Sequence, residues 1–218
     1  MNSPIIQLLV LAGIAVFLIL RLKSVLGTRD GFEPPRTQSE SQKDRRRGFE
    51  VIEGGPDRDI TDHVEEDTDV AAALAEMKRA DASFSVGEFL QGARGAYEMI
   101  LMGFERGAME DIRPFLSDEV FDTFAEVVKQ REQQGLVVEA DFVGIREVAL
   151  EDARFDASNG SAEVSVRFIG ELISVVRNGE GDIVEGKPEQ SKKQKDTWTF
   201  ERKMGANDPN WRLVATGE

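Results

Sequence analysis

The chain has 218 residues, with 41 Asp and Glu against 27 Lys and Arg, one histidine and no cysteine. Without cysteine there is no disulfide scaffold, no thiol nucleophile and no thiolate-ligated metal site. A net charge of −14 speaks against nucleic-acid binding, because neutralising phosphates requires a basic surface.

The charge is unevenly divided: residues 1–20 carry none, 21–50 carry +3, 51–83 carry −7 and 84–218 carry −10. At about one domain per 150 residues, the length suits one folded domain with appendages. The zones read as a membrane anchor (1–22), a disordered charged linker (23–67) and an α+β domain (68–218).

From Ile5 to Leu20 the only polar side chain is Gln7. With the residues before it, this run approaches the ~20 residues a helix needs to cross a bilayer core. Ile5, Leu8, Leu11, Phe17 and Leu20 are its apolar anchor, and Arg21 and Lys23 follow at once. A cleaved signal peptide needs a basic start and a small-residue cleavage site, and both are missing. The positive-inside rule then places the N-terminus outside and the remainder in the cytoplasm, as expected for a single-pass protein of a bacterial inner membrane.

The linker holds Pro34-Pro35 and Gly54-Gly55-Pro56 and few large apolar residues, too few to offset the entropy of ordering. As a flexible coil it would span roughly 35–40 Å. Lys43 and Arg45-Arg46-Arg47 form a basic knot suited to anionic headgroups or to plain solvation. His63 sits among acids and reads as solvated.

Helix signals begin at Thr68 or Asp69, either of which can cap Val70-Ala71-Ala72-Ala73-Leu74 and the turns that follow. Ser85 as N-cap with Glu88 three residues on makes a capping box, and Phe84 can staple to Phe89. Val86, Phe89, Leu90, Ala93, Tyr97, Ile100, Leu101 and Phe104 then recur at steps of three and four, one apolar face ending near Gly107. Gly87, Gly92, Gly95 and Gly103 weaken such a helix, which predicts a close approach to its backbone. A third helix starts at Ser117 and stops at Gly135.

Beyond Gly135 the period changes to two. Residues 136–150 read as a strand with a bulge near Gly144, and Ala162 to Val176 as a long strand kinked at Gly170. Asn178 to Gly181 is a hairpin turn, Ile183 to Glu185 its return, and 187–196 a polar loop. Thr197 to Arg202 and Trp211 to Ala215 complete a meander. Helices followed by an antiparallel meander give α+β, here a cone-shaped roll of about three helices against a curved sheet.

A search for chemistry is nearly empty. There is no Gly-rich phosphate loop, HExxH pattern, EF-hand loop or G-x-S-x-G elbow, so no catalytic residue, metal ligand or cofactor is assigned. Tyr97, the only tyrosine, sits on an apolar face and reads as core; in a roll it is also where a proton-transfer group would stand. Phe104, Phe142, Phe168, Trp198, Phe200 and Trp211 join it as pocket or core residues.

Ala80-Asp81-Ala82-Ser83-Phe84, Phe89-Leu90-Gln91-Gly92-Ala93, Phe104-Glu105-Arg106-Gly107, Leu116-Ser117-Asp118-Glu119-Val120-Phe121 and Asp196-Thr197-Trp198-Thr199-Phe200-Glu201-Arg202 with Trp211-Arg212-Leu213 together resemble the Tim44-like domain family. The resemblance covers about residues 68–218, and the anchor and short tether bring the chain nearest the alphaproteobacterial adaptors of that family. It implies a roll of the nuclear-transport-factor-two kind, association with cardiolipin-containing membrane, and a scaffolding role without catalysis. Lipid contact in the family lies on helices that map to about 69–81 and 84–106, making Met77, Lys78, Arg79, Phe84, Phe89 and Arg94 the candidate lipid or partner surface. The long region that recruits the Hsp70 motor in mitochondria has no counterpart in this sequence, so the resemblance does not carry Hsp70 recruitment over. The expectation is a membrane-anchored adaptor that binds a membrane protein or complex and anionic lipid. The alternative is a tethered enzyme or small-molecule binder using the pocket of the roll, which requires a polar interior with a perturbed carboxylate.

Overall fold

The structure, a computed structural model, describes residues 57–217. The expected anchor, from Ile5 to Lys23, lies outside the described residues. Among those described, no helix is long and apolar enough to cross a membrane.

Five helices come first: α1 (Arg58–Thr61), α2 (Asp69–Ala80), α3 (Val86–Glu105), α4 (Met109–Ile112) and, after a 3-10 turn at Arg113–Phe115, α5 (Asp118–Gln133). Their starts follow the capping residues. Thr68 accepts from Ala71 N–H, Ser85 from Glu88 N–H and Ser117 from Val120 N–H, each satisfying a first-turn donor that has no partner within its helix. Phe84 packs 6.4 Å from Phe89 as the staple requires. Gly107 and Gly135 stand at positive φ where α3 and α5 end.

The strands are β1 (Val137–Asp156), β2 (Ser161–Arg177), β3 (Ile183–Gly186), β4 (Lys192–Lys203) and β5 (Arg212–Gly217). All pair antiparallel, in the order β1-β2-β4-β5, with β3 on the end of β2. The class is α+β. Two boundaries differ from the sequence reading: β1 runs on to Asp156, and β4 begins at Lys192, inside the segment read as a loop. Both extensions are polar in sequence and are held as strands by pairing along β2. Register shifts in β1 fall between Phe142 and Gly144, Ile145 and Glu147, and Leu150 and Asp152, the first at the expected bulge.

Along β2 burial alternates from Ser161 to Leu172 and then breaks, Val175 being buried on the opposite parity. Ala162, Val164, Val166, Phe168 and Leu172 face the helices, while Glu163, Ser165, Arg167 and Glu171 face outward. The outer face carries crossed ion pairs, Arg167 with Glu147 and Glu151, Arg146 with Glu171, and Arg177 with Glu139. Half-exposed pairs of this kind contribute little to stability, about 0–1 kcal/mol each. The apolar face of α3 closes the inner side of the sheet, so the core lies between α3 and β1, β2, β4 and β5.

The fold also starts earlier than the sequence suggested. α1 occupies residues assigned to the linker, and its Ile60 is only 4% exposed. One aliphatic side chain in a run of acids is too weak a periodic signal to mark a helix.

Candidate functional site

The expected pocket residues converge on one layer between α3 and the sheet. Tyr97 reaches down from α3 and stacks on Phe168 of β2, with ring centroids 4.4 Å apart at 17°. Trp198 of β4 lies 4.7 Å away and Phe142 of β1 6.3 Å away. Phe200 continues the layer toward Phe89, and Phe89 meets Trp211 at 4.6 Å. Phe104 packs 4.6 Å from Phe124 of α5 at the other end of the helix. Tyr97, Phe168, Trp198 and Phe200 are buried, while Phe104, Phe142 and Trp211 pack half-buried at the margins.

This interior is filled rather than hollow. Its depth depends on Gly170, where a Cβ would stand 2.7 Å from the Tyr97 hydroxyl and 3.0 Å from Cε1. The residue read as a kink in β2 is therefore the slot for the tyrosine ring. The four glycines of α3 behave unequally: a Cβ on Gly103 would overlap Ile112, whereas Gly92 and Gly95 face open space.

Polar groups enter this apolar layer at one point. The Tyr97 hydroxyl donates to Asp196 Oδ2 at 2.5 Å, and Gln194 Nε2 donates to Oδ1 of the same carboxylate at 3.1 Å. Burial, with the neighbouring carboxylate, pushes the phenol far above its ordinary range, so Tyr97 remains a protonated donor. Asp196 and Gln194 were missed because they lie in the stretch read as a loop. The available signal was parity: residues 194, 196, 198 and 200 share one face of β4.

Toward the C-terminal end of α3 stands Glu105. Burial pushes its carboxyl up, against the pull of the Arg131 charge and a hydrogen bond with Ser174. Arg131 lies over the Phe104 ring at 4.5 Å. Among the described residues no cluster of metal-ligating side chains occurs.

The helical surface needs a correction. Met77, Phe84 and Phe89 are buried and face the sheet, so they present nothing to a bilayer or partner. Met77 and Phe89 belong to the apolar stripes that α2 and α3 turn inward, and Phe84, just ahead of α3, packs beside Phe89 and Trp211; the chain cannot spend one stripe on both the core and a membrane. Lys78 pairs with Asp57 and Asp59 at 2.7 and 2.9 Å. Arg94 is exposed and donates to Ile145 O, and Arg79 is exposed. Of the six expected surface residues, only the arginines keep an open face.

A second polar knot lies where α2 meets β4. Arg202 donates to Asp81 at 2.7 Å, with the two side chains 10% and 15% exposed, and to Pro209 O, while its guanidinium stands 5.1 Å from the Trp211 ring.

A family model described as a Tim44-like domain matches residues 70–218, more than two thirds of the sequence. This chain belongs to the Tim44-like domain family. Its Tim44-like domain is similar to the human "Mitochondrial import inner membrane translocase subunit TIM44", 24% identical over 150 residues. That match covers 67% of this chain and 33% of the human protein, so the chain spans about a third of the relative's length. Among solved structures, the intermembrane-space region of the chloroplast protein ARC6 aligns with a TM-score of 0.40 and 12% identity, over 59% of this chain and 94% of that one.

Proposed function

We propose that this protein is a membrane-associated adaptor of protein translocation or membrane-complex assembly, and that its Tim44-like domain acts by binding protein partners rather than by catalysis. The observation that carries the reading is the family match over residues 70–218, joined to a relative named as an inner-membrane translocase subunit. The filled interior supports it, because Tyr97, Phe168, Trp198 and Phe200 occupy the space in which an enzyme of this architecture would hold substrate. In this reading the α+β domain is a roll of the nuclear-transport-factor-two kind, and residues 5–20 form a single-pass anchor with the domain on the cytoplasmic side. Anionic lipid, cardiolipin included, meets the domain through exposed arginines such as Arg79 and Arg94 and not through Phe84 or Phe89.

The test is crosslinking and purification from native membranes, with the full chain and with a form lacking residues 1–20. Shared partners in both forms place recognition in the domain. No reproducible partner in either form defeats the adaptor reading. The alternative, a small-molecule binder or enzyme, is favoured only by the buried Tyr97 and its half-buried partners Asp196 and Gln194. It requires Tyr97→Phe to abolish a ligand response while the fold persists.

A further inference from the structure

Residues 57–64 lie ahead of the family match, yet they are built onto the domain. Two chemically different contacts hold them. Asp59 accepts from Val86 N–H at 2.8 Å, Gly87 N–H at 3.0 Å, the Ser85 hydroxyl at 2.9 Å and Lys78 Nζ at 2.9 Å. Ile60 is buried, with Val64 half-buried beside the same core. Asp62, His63, Glu65, Glu66 and Asp67 stay exposed, and the Glu65 carbonyl accepts from the Thr68 hydroxyl at 3.0 Å.

The domain is complete without this segment. α2 has its own cap in Thr68 and α3 its own in Ser85, which accepts from Glu88 N–H. Val86 and Gly87 are first-turn residues whose N–H groups have no intrahelical partner in any case and can return to water. A segment held by two carboxylates, Asp59 and Asp57, and by the aliphatic side chains of Ile60 and Val64, with helices intact beneath it, belongs toward the low end of local stability.

We propose that residues 57–64 are a detachable strap, latched by Asp59 in the four-donor cradle at the start of α3 and seated by Ile60, which opens while the Tim44-like domain stays folded. Closed, the first of the described residues held to the domain is Asp57, through Lys78. Open, it is Thr68, which releases 11 residues, or about 36 Å of extended chain. If the adaptor reading holds, the strap sets how far the domain can reach from its attachment; the strap itself does not depend on that reading.

Hydrogen exchange followed by mass spectrometry on the full chain tests this, with tryptic cleavage at Arg58–Asp59 as a second readout. In the unmodified protein, residues 58–64 exchange faster than β2 and β4 through an opening that leaves the sheet protected. Asp59→Asn speeds exchange at 58–64 and at Val86 and Gly87 by about tenfold or more and accelerates the cleavage, with β2 and β4 unchanged. Asp57→Asn, which removes one of two carboxylates on Lys78, has a smaller effect. Ile60→Ala reproduces the Asp59→Asn pattern and serves if that variant does not fold. The strap is refuted if residues 58–64 exchange only together with β2 and β4, or if Asp59→Asn and Ile60→Ala leave their exchange unaltered.

Discussion

Replacing Gly170 by alanine puts a methyl group 2.7 Å from the Tyr97 hydroxyl and 3.0 Å from its ring edge, in a layer with no slack. The ring cannot retreat freely, because Phe168 stacks on it at 4.4 Å and Asp196 holds its hydroxyl at 2.5 Å. Overpacking of this kind costs about 1–3 kcal/mol. On conformational entropy alone, alanine would stabilise by about 0.4–1 kcal/mol, so a loss reports the contact and not the propensity. For a chain of this size 2 kcal/mol lowers Tm by about 4–8 °C. Tyr97→Phe removes the atom nearest the new methyl but strips the half-buried Asp196 carboxylate of a donor, at about 1–3 kcal/mol. The double variant Gly170→Ala/Tyr97→Phe should then lose less than the two single losses combined, by about 1 kcal/mol. Urea unfolding followed by tryptophan fluorescence reads all three, since one of the two indoles, Trp198, is 4.7 Å from the tyrosine ring. Gly170→Ala within about 0.5 kcal/mol of the parent, or strictly additive losses, would refute the slot.

Gly103→Ala should destabilise more than the same change at Gly92 or Gly95, and combined with Ile112→Ala it should lose less than the two single losses added; equal Tm values at the three glycines would contradict this. Arg202→Lys should cost about 1–3 kcal/mol in the urea midpoint, because lysine cannot bond Asp81 and Pro209 O while lying flat beside Trp211. Hydrogen bonds from Gly87, Lys78, Val86 and Ser85 hold the Asp59 carboxyl low against its burial, and the Ser83 hydroxyl and backbone with Arg202 hold Asp81 low. Their stabilisation is full above the ordinary Asp range near pH 4 and fades as pH falls below it; thermal unfolding across acid pH should show Asp59→Asn with a shallower decline. Glu105 works in the opposite sense, since burial raises its carboxyl and its contribution is lost as pH rises above about 4.5. Glu105→Gln should therefore flatten the stability profile between mildly acid and neutral pH, and parallel curves for variant and parent would exclude that role.

Helix starts were legible because they are local: a hydroxyl three residues ahead of a free N–H acts within one turn, as at Thr68, Ser85 and Ser117. The aromatic layer was legible as a set of inward positions on α3, β2 and β4, since periods of 3.6 and 2 sort residues by face. The lower half of β4 was not, because Lys192, Lys193, Gln194 and Lys195 carry no apolar alternation and are strand only by pairing with β2. Asp196 was hidden by the same cause.

The amino-acid sequence alone determined the class, the order of elements and the stripes that become core, because burial of apolar surface along a regular backbone is written in the spacing of side chains. It could not say which stripe faces which neighbour. Only the tertiary structure turned Met77, Phe84 and Phe89 from a candidate lipid surface into core, made Gly170 the slot for Tyr97, and brought Asp59 across 27 residues to Val86 N–H. Those are long-range pairings, fixed by steric fit and by the need of a half-buried carboxylate or a buried hydroxyl for a partner, and no local pattern encodes them.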